Sequence, residues 1–334
     1  MKSAIVQIIP LSMQWPTSDP FLFCAHHNDD YPSGDGELAP SASLDGRDIG
    51  QDFSNLNGWS MYHGSRVPGF PQHPHRGFET ITFVRRGLID HSDSLGATAR
   101  FGRGDVQWLT AGSGIQHCEM FPLVNTDATN PTELFQIWLN LPASDKMVEP
   151  YFTMLWADDI PKVMETDRLG NITTVTVIAG SYHDTVALNP PPNSWAARSH
   201  ADVAVWHVEL EADAEWVLPA ALRGSDVSRT LYLFEGGALT VDGVVVESSN
   251  AIVLEAGQDV VLRAHDGAVQ CMLLQGQPLR EPVARYGPFV MNTKAEIQQA
   301  FDDYQRTEFG GWPWPTPDPV HPADQQRFAE TPKI

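Results

Sequence analysis

Apolar residues in this chain gather in short runs, broken every few positions by glycine or proline, of which there are 26 each. Runs of that length, bounded by turn formers, predict strands rather than buried helices. In the first half they mark strands at Glu79–Val84, Asp105–Leu109, Gln116–Phe121 and Leu134–Leu139. In the second half they mark Ile172–Ile178, Ala204–Val208, Leu231–Phe234, Ala238–Val241, Val244–Val246, Ala251–Leu254 and Val269–Leu274. Asp242-Gly243, between two of these, is a strong hairpin signal. The pattern as a whole predicts an all-β sandwich or barrel.

The two halves are weakly alike. FVRRGLIDHSDSLGATARFGRGDVQWL runs strand, glycine-ended turn, strand, turn and a Gly-Asp-Val strand start. LFEGGALTVDGVVVESSNAIVLEAGQDVVL follows the same order. A degenerate duplication of one small barrel explains this better than one long meander. The expected blocks are a first barrel over 1–165, a second over 166–290, and a helix with its tail over 291–334; a connector spans Trp156–Gly170. Thr293 and Glu296 form a capping box, with Ile297, Ala300, Phe301 and Tyr304 on one helical face, as in a surface helix packed on a barrel. The tail GGWPWPTPDPVHPADQQRF is too rich in proline for regular structure, and its tryptophans suit a segment pinned to a surface. Residues 28–60 form a long acidic insertion, either a lid, a contact for another subunit, or a partly disordered loop.

Composition narrows the partners. The chain has 334 residues, enough for two domains, and a formal net charge of −21 from 42 acidic and 21 basic residues. That field repels phosphate backbones and anionic lipid, and only five lysines occur, so no direct nucleic-acid binding is expected. A basic protein partner remains compatible with it. Three scattered cysteines, Cys24, Cys118 and Cys271, make neither a disulfide framework nor a zinc knuckle. No apolar stretch approaches the roughly 20 residues of a membrane span, and the opening MKSAIVQIIPLSM lacks a signal-peptide pattern. A cytoplasmic protein is expected.

The chemistry concentrates in two places. In QHPHRGFETITF, His73 and His75 stand two apart, so a strand would turn both imidazoles to one side. In GSGIQHCEMFP, His117 and Glu119 repeat that spacing. Two strands of one small barrel can bring all four to a common interior point. Three imidazoles and a carboxylate suit Fe(II), Ni(II), Mn(II), Cu(II) or Zn(II), and leave open positions on a six-coordinate ion. Alternation turns the Cys118 thiol away from that face. The second half has no such pairs: His207 and His265 stand alone.

HPHRGFETITFV, GDVQWLTAGSGIQHCEM, ELFQIWLNLPASDKM and GPFVMNTKAEIQQAF together resemble the signature blocks of the pirin family, in order, from about Asp19 to Gly310. The resemblance implies a bicupin, two cupin-type β-barrels in tandem with a short C-terminal helix. It implies one metal, usually Fe(II), in the N-terminal cupin, held by His73, His75, His117 and Glu119. It also implies a quercetin 2,3-dioxygenase-like activity on a flavonol or similar small aromatic; in that chemistry Glu119, partly released from the metal, is expected to take the substrate's proton as general base. The alternative it carries is a non-enzymatic, iron-containing, redox-sensitive regulator that binds a protein partner; a storage or structural bicupin is weaker, having no need of open coordination positions. This chain departs from the family in Cys118, where a small residue such as Ser is common, in the longer insertion and in the extended tail. Glu79, at a position where many cupins supply a ligand, is expected here either to support the ligands from behind or to be structural. His91 is expected as a hydrogen-bonded strand-end residue, and His26, His27 and His63 as solvated.

Overall fold

The computed structural model describes residues 3–265 and 267–331; the last three residues of the expected tail lie outside the described residues. Strands take 45% of the chain and helix 8%, in two cupin-type domains with one short C-terminal α-helix. The residues sort into two compact units, one of 1–25, 137–140 and 158–280, the other of 26–136, 141–157 and 281–334. They interleave along the chain, in part through strand pairing at the ends. Ile5–Pro10 pairs with Asn250–Leu254, and Phe328–Glu330 pairs with Thr98–Gly102. Each terminus thereby completes a sheet remote from it in sequence.

The unit that carries the HPH stretch holds most of two five-stranded sheets. One runs Tyr151–Leu155, Val106–Thr110, Phe78–Arg86, Asn130–Asn140, Phe21–Tyr31. The other runs Phe328–Glu330, Thr98–Gly102, Leu88–Asp93, Ile115–Met120, Gly69–His75. Alternate residues face inward, and Val84, Ile89, Phe101, Phe121 and Leu134 meet in a core with Tyr31 and Trp59. Each such side chain contributes about 1.5–3 kcal/mol on burial. The helix Lys294–Thr307 belongs to this unit and starts at the expected capping box, with Thr293 and Glu296 each bonding the other's backbone N–H. Its buried residues Ile297 and Ala300 pack with Phe289 and Met291.

Residues 28–60 are compact around Arg47. Its guanidinium donates to Asp52 Oδ2 (2.7 Å), Trp59 O (2.8 Å) and Leu56 O (2.6 Å), and lies 3.3 Å from the Trp59 ring centre. The proline-rich tail is pinned: Trp314 Nε1 donates to Asp93 O, and Arg100 donates to the carbonyls of His321, Pro322 and Gln325.

The other unit pairs a seven-stranded sheet with a four-stranded one. Its core is apolar, with Val175, Trp206, Trp216, Leu231, Leu262 and Leu273 among its members. Three of its strands escape the hydrophobic pattern. Glu215–Leu218 and Val260–Ala264 alternate buried with exposed, and Lys162–Thr166 lies inside the stretch expected as a connector. All three are short, and their solvent sides mix polar residues with exposed apolar ones such as Val217 and Val261, so burial does not follow hydrophobicity there. No helix among the described residues is long and apolar enough to cross a membrane.

Candidate metal centre

Gly69–His75 lies antiparallel to Ile115–Met120, with His73 opposite His117 and His75 opposite Ile115. Directly opposed residues share a face, so the His73 and His117 rings come within 4.4 Å, centre to centre. His75, two residues along, returns to that face at 4.8 Å from His73 and 4.9 Å from His117. One ring nitrogen from each lies within 4.8 Å of the other two. Two glycines allow the approach. At Gly69 (φ 131°) a Cβ would strike the Glu119 carbonyl, and at Gly77 (φ 86°), which turns the chain after His75, it would strike the Val290 carbonyl.

The three rings fit a cation better than protons. Burial holds His73 down at about 4, and holds His75 and His117 well below the usual imidazole range, with the neighbouring rings adding to it. Neutral imidazoles keep a lone pair for coordination. His73 Nδ1 must donate to the Pro71 carbonyl at 2.8 Å, which leaves Nε2 as its lone-pair nitrogen. Both ring nitrogens of His117 are buried without a hydrogen-bond partner. Buried polar atoms are nearly always satisfied, and a cation among the three rings would satisfy one of these.

Glu119 lies on the same strand as His117 but is held elsewhere. Its Oε1 accepts from Thr82 Oγ1 at 2.9 Å and its Oε2 from Gln136 Nε2 at 2.7 Å, while Thr82 Oγ1 also lies 2.6 Å from Gln136 Oε1. Its carboxylate is outside the group of close ligand atoms formed by the three histidines. Burial raises the Glu119 carboxyl, and the neighbouring His91 followed by the bonds from Thr82 and Gln136 oppose it. Neither Thr82 nor Gln136 stood out in the sequence; the available signal was a polar residue inside an otherwise apolar strand, as in ELFQIWL.

Residues 9–139 match the family model described as pirin, and 205–310 match the pirin C-terminal cupin domain. The chain belongs to the pirin family. This pirin is 39% identical over 243 residues to a Pseudomonas aeruginosa protein provisionally named a quercetin 2,3-dioxygenase, covering 72% of this chain and 79% of the relative. It is 32% identical over 282 residues to human pirin, covering 79% of this chain and 87% of the human protein. A crystal structure titled quercetin 2,3-dioxygenase from Acinetobacter baumannii superposes with a TM-score of 0.71 at 26% identity, over 92% of this chain and 98% of the other.

The remaining candidates of this pirin fall into place around the triad. Glu79 is buried and accepts from Thr110 Oγ1 at 2.7 Å. His91 departs from its expected place at a strand end. It is fully buried within Leu88–Asp93, with Nε2 3.3 Å from Asp93 Oδ2, Nδ1 without a partner, and its ring 5.5 Å from that of His117. The strand extends further than its polar sequence suggests because two partners flank it. His26 and His27 are half-buried rather than freely solvated: His26 pairs with Glu133 at 2.9 Å and stacks on Phe135, and His27 packs against Tyr62 and Phe70. His63 is exposed and sits beside Phe53 and Phe70. Cys118 faces away from the triad into a cluster with Leu38, Val67 and Met120. His207 bonds Gln270 and His265 bonds Thr240.

Proposed function

We propose that this chain is a mononuclear Fe-dependent dioxygenase of the pirin type that acts on flavonol-like aromatics. The observation that carries the reading is the convergence of three neutral imidazoles, His75 and His117 buried and His73 half-buried, with both nitrogens of His117 unpartnered. His73, His75 and His117 would hold Fe(II), with Glu119 as the fourth ligand. Ni, Mn, Cu and Zn are accommodated by the same donors. When bound, such an ion supplies Lewis-acid activation of the substrate hydroxyl and a site for dioxygen chemistry.

The chain's own residues supply the rest. Glu119 is the general base in this reading, and burial suits it to hold a proton. Phe70, 6.4 Å from the His73 ring, with Tyr62 and Phe53 behind it, offers an aromatic wall for a flat ligand. The names of the P. aeruginosa relative and the A. baumannii structure point to the same substrate class.

The net charge of −21 favours a second reading, an iron-containing redox-sensitive regulator that docks on a basic protein. One experiment separates the two. A flavonol is added anaerobically to the Fe(II)-loaded protein, and its absorption band is followed before and after oxygen is admitted. The enzymatic reading expects a shifted band that then disappears catalytically. A bound but unreacted flavonol, or none bound, across several flavonols and catechols, leaves the regulatory reading.

A further inference from the structure

We infer that Thr82 and Gln136 form a second seat for the Glu119 carboxylate, so that this side chain exchanges between the seat and the metal rather than serving as a permanent ligand. The inference rests on the proposed metal at His73, His75 and His117.

Three features carry it. First, both carboxylate oxygens are engaged in the seat, by Thr82 Oγ1 at 2.9 Å and Gln136 Nε2 at 2.7 Å. Hydrogen bonds to an ionised acceptor are among the strong ones, so the seat competes with an ion for the same oxygens. Second, the seat stays satisfied when the carboxylate leaves. Thr82 has a single hydroxyl proton and two acceptors in reach, Glu119 Oε1 and Gln136 Oε1 at 2.6 Å. Once Glu119 departs, that proton belongs to Gln136 alone. Gln136 is only partly buried, so water can replace the bond its amide loses. Neither position therefore leaves a dry, unpaired polar group, which is what a two-position side chain requires. Third, the seat is built from strands other than the one Glu119 occupies. Thr82 stands on Phe78–Arg86 and Gln136 on Asn130–Asn140, whereas Glu119 is on Ile115–Met120 beside His117. The carboxylate thus hangs between two β-sheets, with the triad on its own sheet and the seat on the other.

Competition for one carboxylate predicts that weakening the seat tightens the metal site, because the binding-competent position becomes more populated. Co(II) serves as the probe, with affinity read by competition against a chromophoric chelator at pH 8 and geometry read from the ligand-field bands. Gln136→Leu and Thr82→Val are expected to bind Co(II) roughly tenfold tighter than the wild type, a factor set by the strength of hydrogen bonds to a charged group. Thr82→Ser, which keeps the hydroxyl, is expected to match the wild type. Glu119→Ala provides the spectrum of the triad alone, and the seat variants should move away from it. Two variants on separate strands, each checked by circular dichroism, guard against a local folding defect. Affinity unchanged or weakened in both seat variants overturns the seat. So does a Glu119→Ala protein with wild-type affinity and spectrum. A wild type that binds no Co(II) removes the metal reading itself, and the seat with it.

Discussion

Glu119 is asked to do two things that one substitution can separate. As a ligand alone, its replacement by Gln lowers metal content but leaves proportionate turnover in the loaded fraction. As a base as well, Glu119→Gln is expected to abolish turnover even at full occupancy, since an amide oxygen can coordinate but does not take a proton near neutral pH. Metal content and turnover measured on the same sample decide it; wild-type turnover per bound metal would remove the base role. His117→Ala should lose most of its metal and stay folded, because the cores around the triad do not depend on that ring. Asp29 gives a separate, pH-dependent prediction. Burial raises its carboxyl to about 7, against the hydrogen bonds from Tyr62 and Ser60. The folded value lies above the unfolded one, so its contribution to stability is full below about pH 4 and is lost as pH rises through about 7. Asp29→Asn keeps the shape, with Oδ1 able to accept from Ser60 N–H and the amide able to donate to Tyr62. Urea unfolding should show the variant gaining on the wild type between pH 4 and 7, by on the order of 2–4 kcal/mol at the upper end. Parallel pH curves for the two proteins would contradict this.

At the level of elements, the triad depends on one strand pair and the turn that ends it. Gly77 takes φ 86° immediately before Phe78–Arg86, and the Val290 carbonyl lies where a Cβ would go. Gly77→Ala therefore combines a left-handed backbone with a clash against backbone. A loss of about 2 kcal/mol or more is expected, together with weaker metal binding through displacement of His75. A variant as stable as the wild type would show that the turn relaxes. The C-terminal helix tests more simply. Thr293 satisfies the Glu296 N–H, and Thr293→Ala should cost about 1 kcal/mol by denaturant unfolding. Metal affinity should be unmoved, since the cap touches no triad residue.

Across the whole molecule, an ion that binds only the folded state stabilises it by mass action. Chelation should lower Tm, and added Fe(II) or Ni(II) should restore it in a concentration-dependent way; a metal-free protein already unfolded at room temperature would mark the site as structural and weaken the enzymatic reading. What the sequence determined by itself was local or periodic. The β class, the capping box at Thr293 and the histidine pairs two apart all follow from backbone periods of 2 and 3.6. Because alternation alone fixes the face of a side chain, the common face of His73 and His75 and the opposite direction of Cys118 were legible before any contact was known. Only tertiary structure decided which strands met. The register that sets His73 against His117 joins residues more than forty positions apart. The strands at the two ends find partners that lie far along the chain. The Thr82–Gln136 seat is the clearest case. Neither residue carries a motif, and they hold Glu119 because three strands from two sheets converge there, a juxtaposition that no spacing along the sequence encodes.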